Sequence, residues 1–348
     1  MLFVGDIALP FENAINFNSF PDEFYQKQWV ANLEGSIIHD SHEDHLKKRD
    51  VFNDSKAIES LLDKFNIPCF LLANNHLLDV ANLETTTNFL KGKTSYIGAG
   101  KDLKDANKSF KFKENGTEVI LLNFGWEVIQ CEIATKDKEG VNPLHIDYVL
   151  ETVRNTIKNN PNSKVVPIMH WSYELEAEPQ PRERELAKSL IEIGAQAVIG
   201  AHPHRIGGFE IYKNKPIVYS LGNWLFKQDH YDNGKLKFPS FCDEELAFEM
   251  DFKTGEFHFH FFNYNKEKNT LSYINTEDKS SAKMTAYTPF RDLNNEDYKT
   301  WYKANHHHKN KGLPVFYWED SNFQVNLKNK WNKWRDRLLD IYLILRDQ

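Results

Sequence analysis

Six short stretches of the sequence carry side chains that bind metal ions or act as acids and bases, and each directly follows an apolar run. They are Gly5-Asp6, Asn32-Leu33-Glu34-Gly35, Asn74-Asn75-His76, His170-Trp171-Ser172-Tyr173-Glu174, Gly200-Ala201-His202-Pro203-His204 and Ser220-Leu221-Gly222-Asn223. A polar group at the end of a buried strand costs free energy unless it finds a partner. Six such groups in order along the chain therefore predict that they converge on one site.

The side chains in these stretches are the ligands that borderline divalent metal ions prefer. Imidazoles combined with carboxylates and an amide oxygen suit Zn, Mn, Fe or Co. The segment His202-Pro203-His204 can aim two nitrogens at one ion from a turn that the proline stiffens. The sequence contains neither an all-carboxylate calcium loop nor the cysteine spacing of a structural zinc site. These residues therefore predict a divalent metal centre with nitrogen and oxygen ligands.

Short β-type runs alternate with helical patterns over the first two-thirds of the chain, and these elements must position the six stretches. The sequence predicts strands at residues 2–4, 29–33, 69–72, 96–98, 119–124, 165–169 and 197–200, and helices at 56–65, 82–90, 146–158 and 184–193. This alternation predicts a layered α/β fold, in which ligands gather outside the carboxyl ends of the strands.

A hairpin and four later strands refine this prediction. Residues 110–113 and 119–124 are joined through Asn115-Gly116, which predicts a hairpin. Further β-type segments lie at 208–212, 217–220, 246–252 and 257–262. They favour a mixed sheet, or a sandwich of two sheets flanked by helices, over a purely parallel sheet.

The character of the chain changes near residue 265. We expect one domain at 1–264 and a C-terminal extension at 265–348, which is polar and turn-rich up to residue 312 and ends in a helix at 326–346. This helix combines an aromatic and apolar face with many basic residues. We expect it to pack on the core, and docking to a surface or to a partner protein is the alternative.

Two groups of histidines lie outside the six stretches. The triplet His306-His307-His308 has polar neighbours and is expected to form a solvated loop. The cluster of His39, His42 and His45 is interpreted in the same way, with a loop over the site as the alternative.

Composition excludes several classes of protein. The 348 residues include 43 basic and 50 acidic ones, so the net charge of −7 argues against a nucleic-acid partner. The 3 cysteines share no metal-type spacing, and Cys69 is expected in the core. No window approaches the ~18 apolar residues of a membrane span, and the first residues lack the features of a signal peptide. We therefore expect a cytoplasmic location.

Taken together, the six stretches resemble the capsule-synthesis CapA family, whose members belong to the calcineurin-like metallophosphoesterase superfamily. The matching residues are Gly5-Asp6, Asn32-Leu33-Glu34, Ala73-Asn74-Asn75-His76, His170-Trp171 with Glu174, Gly200 with His202-Pro203-His204, and Tyr219-Ser220-Leu221-Gly222-Asn223. The resemblance implies an α/β (α+β) fold, a four-layer α/β/β/α sandwich with one or two divalent ions at one edge.

The resemblance also implies a role for each residue. The first metal would be bound by Asp6, Glu34 and His204, and the second by Glu34, Asn75, His170 and His202. His76 would contact the substrate oxyanion or protonate the leaving group, and Glu174 would orient His170 or contact substrate. Asn74 and Asn223 are expected to contact substrate.

The sequence departs from the superfamily at its first motif. Phosphoesterases of this kind open with Asp-x-His, whereas Asp6 is followed by Ile7 and Ala8. The first metal therefore loses one imidazole, and a mechanism with a single ion becomes an alternative to one with two.

The function implied is a metal-dependent hydrolase in capsule or surface-polymer biosynthesis. Its substrate would be an anionic polymer precursor, a polysaccharide or a phosphorylated compound. One alternative is a general phosphoesterase acting on a phosphorylated metabolite. Another is a non-catalytic binding component that meets a capsule-assembly partner through the C-terminal helix. Cleavage of an amide in a glutamyl polymer would use the same activated water.

Overall fold

Two large β-sheets stacked on each other form the centre of the protein. The computed structural model describes residues 1–12, 15–39, 49–227 and 237–346. The strands are β1 (Leu2–Ala8), β2 (Asn16–Asn18), β3 (Gln28–Leu33), β4 (Ser36–Ile38), β5 (Phe52–Asp54), β6 (Asn66–Leu71), β7 (Ser95–Ile97), β8 (Ala99–Gly100), β9 (Phe110–Glu114), β10 (Thr117–Gly125), β11 (Gly140–Val141), β12 (Lys164–His170), β13 (Val198–Ala201), β14 (Phe209–Tyr212), β15 (Lys215–Val218), β16 (Asn223–Phe226), β17 (Glu244–Met250), β18 (Phe257–Asn265) and β19 (Thr270–Glu277). The helices are α1 (Asp22–Gln26), α2 (Ser55–Lys64), α3 (Leu83–Leu90), α4 (Leu103–Ala106), α5 (Ile146–Asn159), α6 (Pro181–Glu192), α7 (Ala282–Ala286), α8 (Asn295–Asn305) and α9 (Asn322–Arg346).

Both sheets mix parallel and antiparallel strands. The first has the order β2-β19-β18-β17-β1-β3-β6-β7, with β16 also paired to β1, and the second has the order β14-β15-β13-β12-β10-β9. The strands β1, β3, β6 and β7 run parallel, as do β10, β12, β13 and β15. Asn115-Gly116 forms the turn of the predicted hairpin between β9 and β10, and both residues have positive φ.

The buried apolar side chains divide the molecule into four layers. Phe3 of the first sheet and Ile168 of the second belong to the core between the sheets, as does Cys69. On the outer side of the first sheet lie Ile58 of α2 and Phe89 of α3. The outer side of the second sheet is covered by side chains of α5, α6 and α8. The predicted α/β/β/α sandwich is therefore confirmed, and burial of these apolar faces is the main driving force that holds its layers together.

The register of the parallel strands brings the predicted site residues to one edge. Asp6 of β1 lies opposite Asn32 of β3, and His170 at the end of β12 lies opposite Ala201 of β13. On its other side, Asp6 lies opposite Asn223 of β16. The carboxyl ends of the strands therefore meet where the sequence analysis placed the site.

The segment after residue 264 adds a strand to the first sheet and packs a helix on the outer face of the second. β19 extends the first sheet by pairing with β18, and α8 buries Tyr298 and Tyr302 against the second sheet. The polar stretch up to residue 312 thus contains the strand β19 and the two helices α7 and α8. The division into two parts at residue 264 stays a prediction.

The expectation of a solvated histidine triplet was wrong for two of its members. His306 and His308 are buried. The side chain of Glu176 accepts hydrogen bonds from the backbone N–H groups of His307 and His308, and the ring of His306 stacks on Tyr302. Local polarity could not reveal these partners because they are distant in sequence. Of the other cluster, His39 contacts the Ser55 hydroxyl at 3.2 Å, while His42 and His45 lie outside the described residues.

The helix α9 is anchored to the body of the protein along one side. The buried side chain of Asn332 donates a hydrogen bond to the Tyr173 hydroxyl at 2.9 Å, and Lys333 forms an ion pair with Glu127 at 2.8 Å. Among the described residues, no helix combines the length and the apolarity that crossing a bilayer requires.

Candidate metal centre

Asp6 is held in the middle of the site by backbone that only glycine permits. A Cβ at Gly5 would lie 1.8 Å from the carbonyl oxygen of Gly222, so the two chains could not approach with any other residue there. The close approach lets the Asp6 N–H donate to that carbonyl at 3.1 Å. The carboxylate accepts hydrogen bonds from the Asn32 amide at 2.8 Å and from the His202 N–H at 3.2 Å. Burial raises the pKa of Asp6 to about 7, although these two bonds oppose the shift.

Glu34, His202 and His204 form a compact set of ligand atoms. One atom from each lies within 4.8 Å of the others. All three side chains are buried, and an oxygen of Glu34 stands 3.7 Å from Nε2 of His204. Neither carboxylate oxygen of Glu34 has a hydrogen-bond partner within the described ranges. Burial, followed by the negative charge of Asp6, raises the pKa of Glu34 well above its ordinary value.

The turn that carries the two histidines is strained. His202 has φ of 97° and His204 has φ of 56°, in the left-handed region that side chains with a Cβ rarely adopt. Such a residue costs about 1–3 kcal/mol and persists only where its surroundings impose it. Here the side-chain oxygen of Asn223 lies 2.9 Å from Nδ1 of His204, and the carbonyl of Pro203 accepts a hydrogen bond from Leu175. The surroundings therefore fix both rings toward Glu34.

His170 and Asn75 form the other side of the centre. Nε2 of His170 lies 2.9 Å from the side-chain oxygen of Asn75, and the ring centroid is 4.8 Å from that of His202. An imidazole nitrogen and an amide oxygen are both atoms that bind borderline divalent ions, so these two side chains would together hold a metal. Burial lowers the pKa of His170 and of His202 well below the ordinary value. Both rings are therefore neutral at physiological pH, which is the form that binds metals.

His76 stands at the rim of this centre. Its Nε2 lies 3.9 Å from a carboxylate oxygen of Glu34, and its side chain is 17% exposed, so it reaches both the buried ligands and the open cleft. Asp79 accepts a hydrogen bond from the other nitrogen of the ring. This position fits the predicted role of His76 in proton transfer.

The two asparagines expected to contact substrate are engaged with the protein. Asn74 donates to the Leu33 carbonyl and accepts from the N–H groups of Gly35 and His76, so it joins two loops of the site. Asn223 contacts His204 and donates to the carbonyl of Cys242 at 3.3 Å. Both side chains are buried. Their contacts with substrate stay a prediction, and what the structure gives them is a positioning role.

A cleft with a volume of about 660 Å³ opens over the centre. Asn75, His76, His202 and His204 line its floor, and Glu174 lies exposed in its wall. The remaining wall comes from several other parts of the chain, and its charged members are the basic residues Arg49, Lys311 and Arg335 and the acidic residues Asp50, Asp79 and Asp336. The ring of His308 contacts the carbonyl oxygen of Glu174 and so ties the C-terminal wall to the loop after β12.

Several functional residues were missed by the sequence analysis. Asn32 stands in one of the six stretches but was not assigned as the partner of Asp6, and Asp79 follows His76 at the helical spacing of three residues. Either could have been found from its position in the motif. Lys311 and Arg335 gave no local signal, because only the folded chain brings them to the cleft.

The residues present fit a divalent ion. The Nδ1 atom of His202 and both oxygens of Glu34 are buried without a hydrogen-bond partner in the part of the chain that the structure describes. Buried polar atoms are nearly always paired, and such unpaired atoms need an explanation. Neutral imidazoles with carboxylate and amide oxygens are the ligand set of Zn, Mn, Fe or Co. A bound cation would give these atoms their partner.

The fold and the site together define a layered α/β protein with a buried histidine and carboxylate centre at the strand ends. Residues 22–228, more than half of the chain, match the family of the bacterial capsule synthesis protein PGA_cap. The chain therefore belongs to this family, as the resemblance predicted.

Two relatives carry related names. The capsule biosynthesis protein CapA of Bacillus anthracis is 34% identical over 163 residues, which cover 45% of this chain and 39% of that protein. The PGA biosynthesis protein CapA of Bacillus subtilis (strain 168) is 28% identical over 240 residues, which cover 65% of this chain and 63% of that protein. The matched regions thus span less than two-thirds of the length of either relative.

Solved structures offer only distant likenesses. A hypothetical protein from Thermus thermophilus superposes with a TM-score of 0.41 at 13% identity, covering 79% of this chain and 96% of that chain. A 5'-nucleotidase precursor from the same organism gives a TM-score of 0.40 at 11% identity, covering 80% of this chain and 53% of that chain. Neither likeness bears on the reaction.

Proposed function

We propose that the protein is a cytoplasmic, metal-dependent hydrolase that processes an anionic substrate in capsule or surface-polymer biosynthesis. The observation that carries this proposal is the buried carboxylate of Glu34. Its two oxygens have no hydrogen-bond partner among the described residues, and they share one small volume with His202 and His204. Leaving an ionised carboxylate buried and unpaired costs several kcal/mol. A divalent cation bound by these side chains would offset that cost.

Six side chains would hold the metal. Asp6, Glu34 and His204 would serve one ion, and Glu34, Asn75, His170 and His202 a second. A divalent ion bound there would supply an activated water molecule and polarise the substrate oxygen. Because Ile7 and Ala8 follow Asp6 where the superfamily has a histidine, the first position has fewer protein ligands, and a single ion at the second position is the alternative.

His76 would donate a proton to the leaving group of the substrate. Its Nε2 faces the centre from the rim, and Asp79 stabilises the charged ring from the other side. A group in this position can protonate the leaving group as the bond to the polymer breaks. Glu174 stands in the cleft wall, where it can contact the substrate.

The cleft offers contacts for an anionic substrate. Arg49, Lys311 and Arg335 line it together with the acidic residues Asp50, Asp79, Glu174 and Asp336. A divalent ion bound at the floor of the cleft would add positive charge and raise the local concentration of anions. The names of the relatives refer to capsule and to PGA biosynthesis, and a polymer precursor that carries carboxylates or phosphates would suit this cleft. Amide, ester and phosphate bonds all develop an oxyanion that the same centre can stabilise.

The experiment that tests the proposal is metal analysis by elemental mass spectrometry on tag-free protein. Wild type is compared with His170→Ala and Asp6→Ala after reconstitution with Mn, Zn, Fe or Co. His260→Gln is the matched control, because His260 is a buried histidine outside the centre, hydrogen-bonded to Thr276 and Glu249. The loaded protein is then assayed on phosphate esters, on poly-γ-glutamate and on an acidic polysaccharide.

Each outcome separates the alternatives. Near-stoichiometric metal that is lost in His170→Ala but kept in His260→Gln supports the proposal. The assays on the three kinds of substrate then identify which type of bond the protein cleaves. One metal that is unaffected by Asp6→Ala supports a mechanism with a single ion. A folded wild-type protein that takes up no metal would contradict the hydrolase proposal and favour a binding component of a capsule-assembly complex.

A further inference from the structure

One face of α9 exposes a continuous row of large apolar side chains. Phe323, Leu327, Trp331, Trp334 and Leu338 follow one another at intervals of four, four, three and four residues, which is the spacing of a single helix face. Their exposed fractions lie between 44% and 73%. A contiguous apolar row of this kind marks a surface that another body covers. We call these five residues the apolar stripe.

The opposite face of the helix fixes the stripe in place. Asn332 is buried against Tyr173, and Lys333 pairs with Glu127. The indole N–H of Trp331 donates to a backbone carbonyl at 2.8 Å, so its ring is oriented while remaining half exposed. The stripe is therefore the outward side of a docked helix.

The charges beside the stripe are positive. α9 contains six basic and two acidic residues, although the whole chain has a net charge of −7. Lys328 and Lys333 pair with acidic residues of the protein body. Lys330 and Arg337 are exposed, and helical geometry places both along one edge of the stripe. The surface that covers the stripe must therefore suit apolar side chains in its centre and cations at its edge.

We propose that α9 docks the protein on an anionic lipid surface. The apolar stripe lies at the boundary between headgroups and acyl chains, and Lys330 and Arg337 contact lipid phosphates. Tryptophan is favoured at this depth, because its ring is apolar and its N–H is polar. The sequence after Leu338 continues with six apolar residues among the next seven, which adds to the same character.

Lipid fits this surface better than a second protein chain. The exposed apolar area is a single row along one helix, with cations at its edge, and this combination matches a negatively charged bilayer surface without requiring a complementary groove. The acidic residue Asp336 falls on a helical position away from the stripe. The inference does not depend on the proposed hydrolase activity.

The experiment is vesicle co-sedimentation of the full chain. One set of vesicles contains phosphatidylcholine alone, and the other contains phosphatidylcholine and phosphatidylglycerol in equal parts. The variants are the double substitution Trp331→Ala/Trp334→Ala and the double charge reversal Lys330→Glu/Arg337→Glu. The matched controls are Ile274→Ala, an exposed apolar residue on β19, and Lys158→Glu/Lys253→Glu, two exposed lysines elsewhere. Thermal unfolding confirms that every variant is folded.

Binding to the anionic vesicles is expected for wild type and for both controls. The tryptophan variant should lose about tenfold or more of its partitioning. The charge reversal should abolish the preference for phosphatidylglycerol. Absence of wild-type binding to these vesicles, or binding that the tryptophan substitutions leave unchanged, would overturn the proposal. Concentration-dependent self-association in ultracentrifugation, abolished by the tryptophan substitutions and without vesicle binding, would overturn it in favour of a second copy of the chain.

Discussion

Nδ1 of His76 lies 2.6 Å from a carboxylate oxygen of Asp79, and this hydrogen bond leaves Nε2 of the same ring 3.9 Å from Glu34. Burial by itself would lower the pKa of His76, but the hydrogen bond and the charge of Asp79, with Glu174 and Asp6, raise it instead. The carboxylate also determines which ring nitrogen carries the proton. Asp79 thus holds His76 in the orientation that a proton donor beside the metal centre requires.

Asp79→Asn should therefore weaken proton donation without removing metal. We expect kcat for phenyl phosphate, which has a poor leaving group, to fall by about 10- to 100-fold, and kcat for p-nitrophenyl phosphate to fall much less. Steady-state kinetics on metal-loaded protein measures both values. Asp63→Asn, on the exposed side of α2, is the control. Equal losses on the two substrates would contradict a role in protonating the leaving group.

Asn223→Ala should weaken metal binding through His204. The side-chain oxygen of Asn223 lies 2.9 Å from Nδ1 of His204 and orients the ring in a strained turn. Loss of such a supporting contact typically costs about 10- to 100-fold in metal affinity. Competition titration with a chelator measures this change. Asn263→Ala, which removes a comparable bond from β18 to the backbone carbonyl of Asp243, should leave the affinity unaltered, and an equal effect in both variants would count against the role of Asn223.

Lys311 and Arg335 should select anionic substrates. We expect the double variant Lys311→Ala/Arg335→Ala to raise KM for p-nitrophenyl phosphate by about tenfold and to leave KM for the neutral p-nitrophenyl acetate unchanged. The metal content should not change, because neither residue is an expected ligand. Lys309→Ala, an exposed neighbour whose ammonium contacts the Ala304 carbonyl, is the control. If KM rises equally for both substrates, the two residues shape the cleft and do not recognise the negative charge of the substrate.

Glu249 should contribute stability that depends on pH. Burial opposes ionisation of its carboxyl group, but hydrogen bonds from His260 and Lys27 lower its pKa from the ordinary 4.5 to about 2. A carboxyl group with a lowered pKa stabilises the fold above its ordinary pKa, and this contribution is lost as the pH falls through the folded value. Glu249→Gln should therefore cost about 1–2 kcal/mol near neutral pH, after allowance for solvent screening.

Urea unfolding near neutral pH and at about pH 2 measures this difference. The cost of Glu249→Gln should shrink between the two conditions, whereas the exposed control Glu256→Gln should cost little in either. A cost that does not change with pH would show that packing, and not the charge of Glu249, is responsible.

The layers of the fold, and the edge at which the candidate ligands gather, could be predicted from the sequence because both depend on local patterns. Apolar runs of strand length mark the sheets, and a polar residue just after such a run marks the edge where Asp6 and His170 meet. The cleft wall could not be predicted in this way. Lys311 belongs to the polar segment and Arg335 to α9. Contacts such as those of Glu176 and Asn332 set the positions of both, and the partners in these contacts are far apart in sequence.

The pairing of Asp6 with Asn223 has a consequence for how the protein matures. β1 and β16 are neighbours in space, yet almost the whole matched family region separates them in the chain. During synthesis, β1 can pair with β16 only after the strand that carries Asn223 has been made. Pairings between strands this far apart in sequence form slowly. Metal loading would therefore follow assembly of the sandwich, because a nascent chain released before β16 would carry all six expected ligands without the strand that lies beside Asp6 and orients His204.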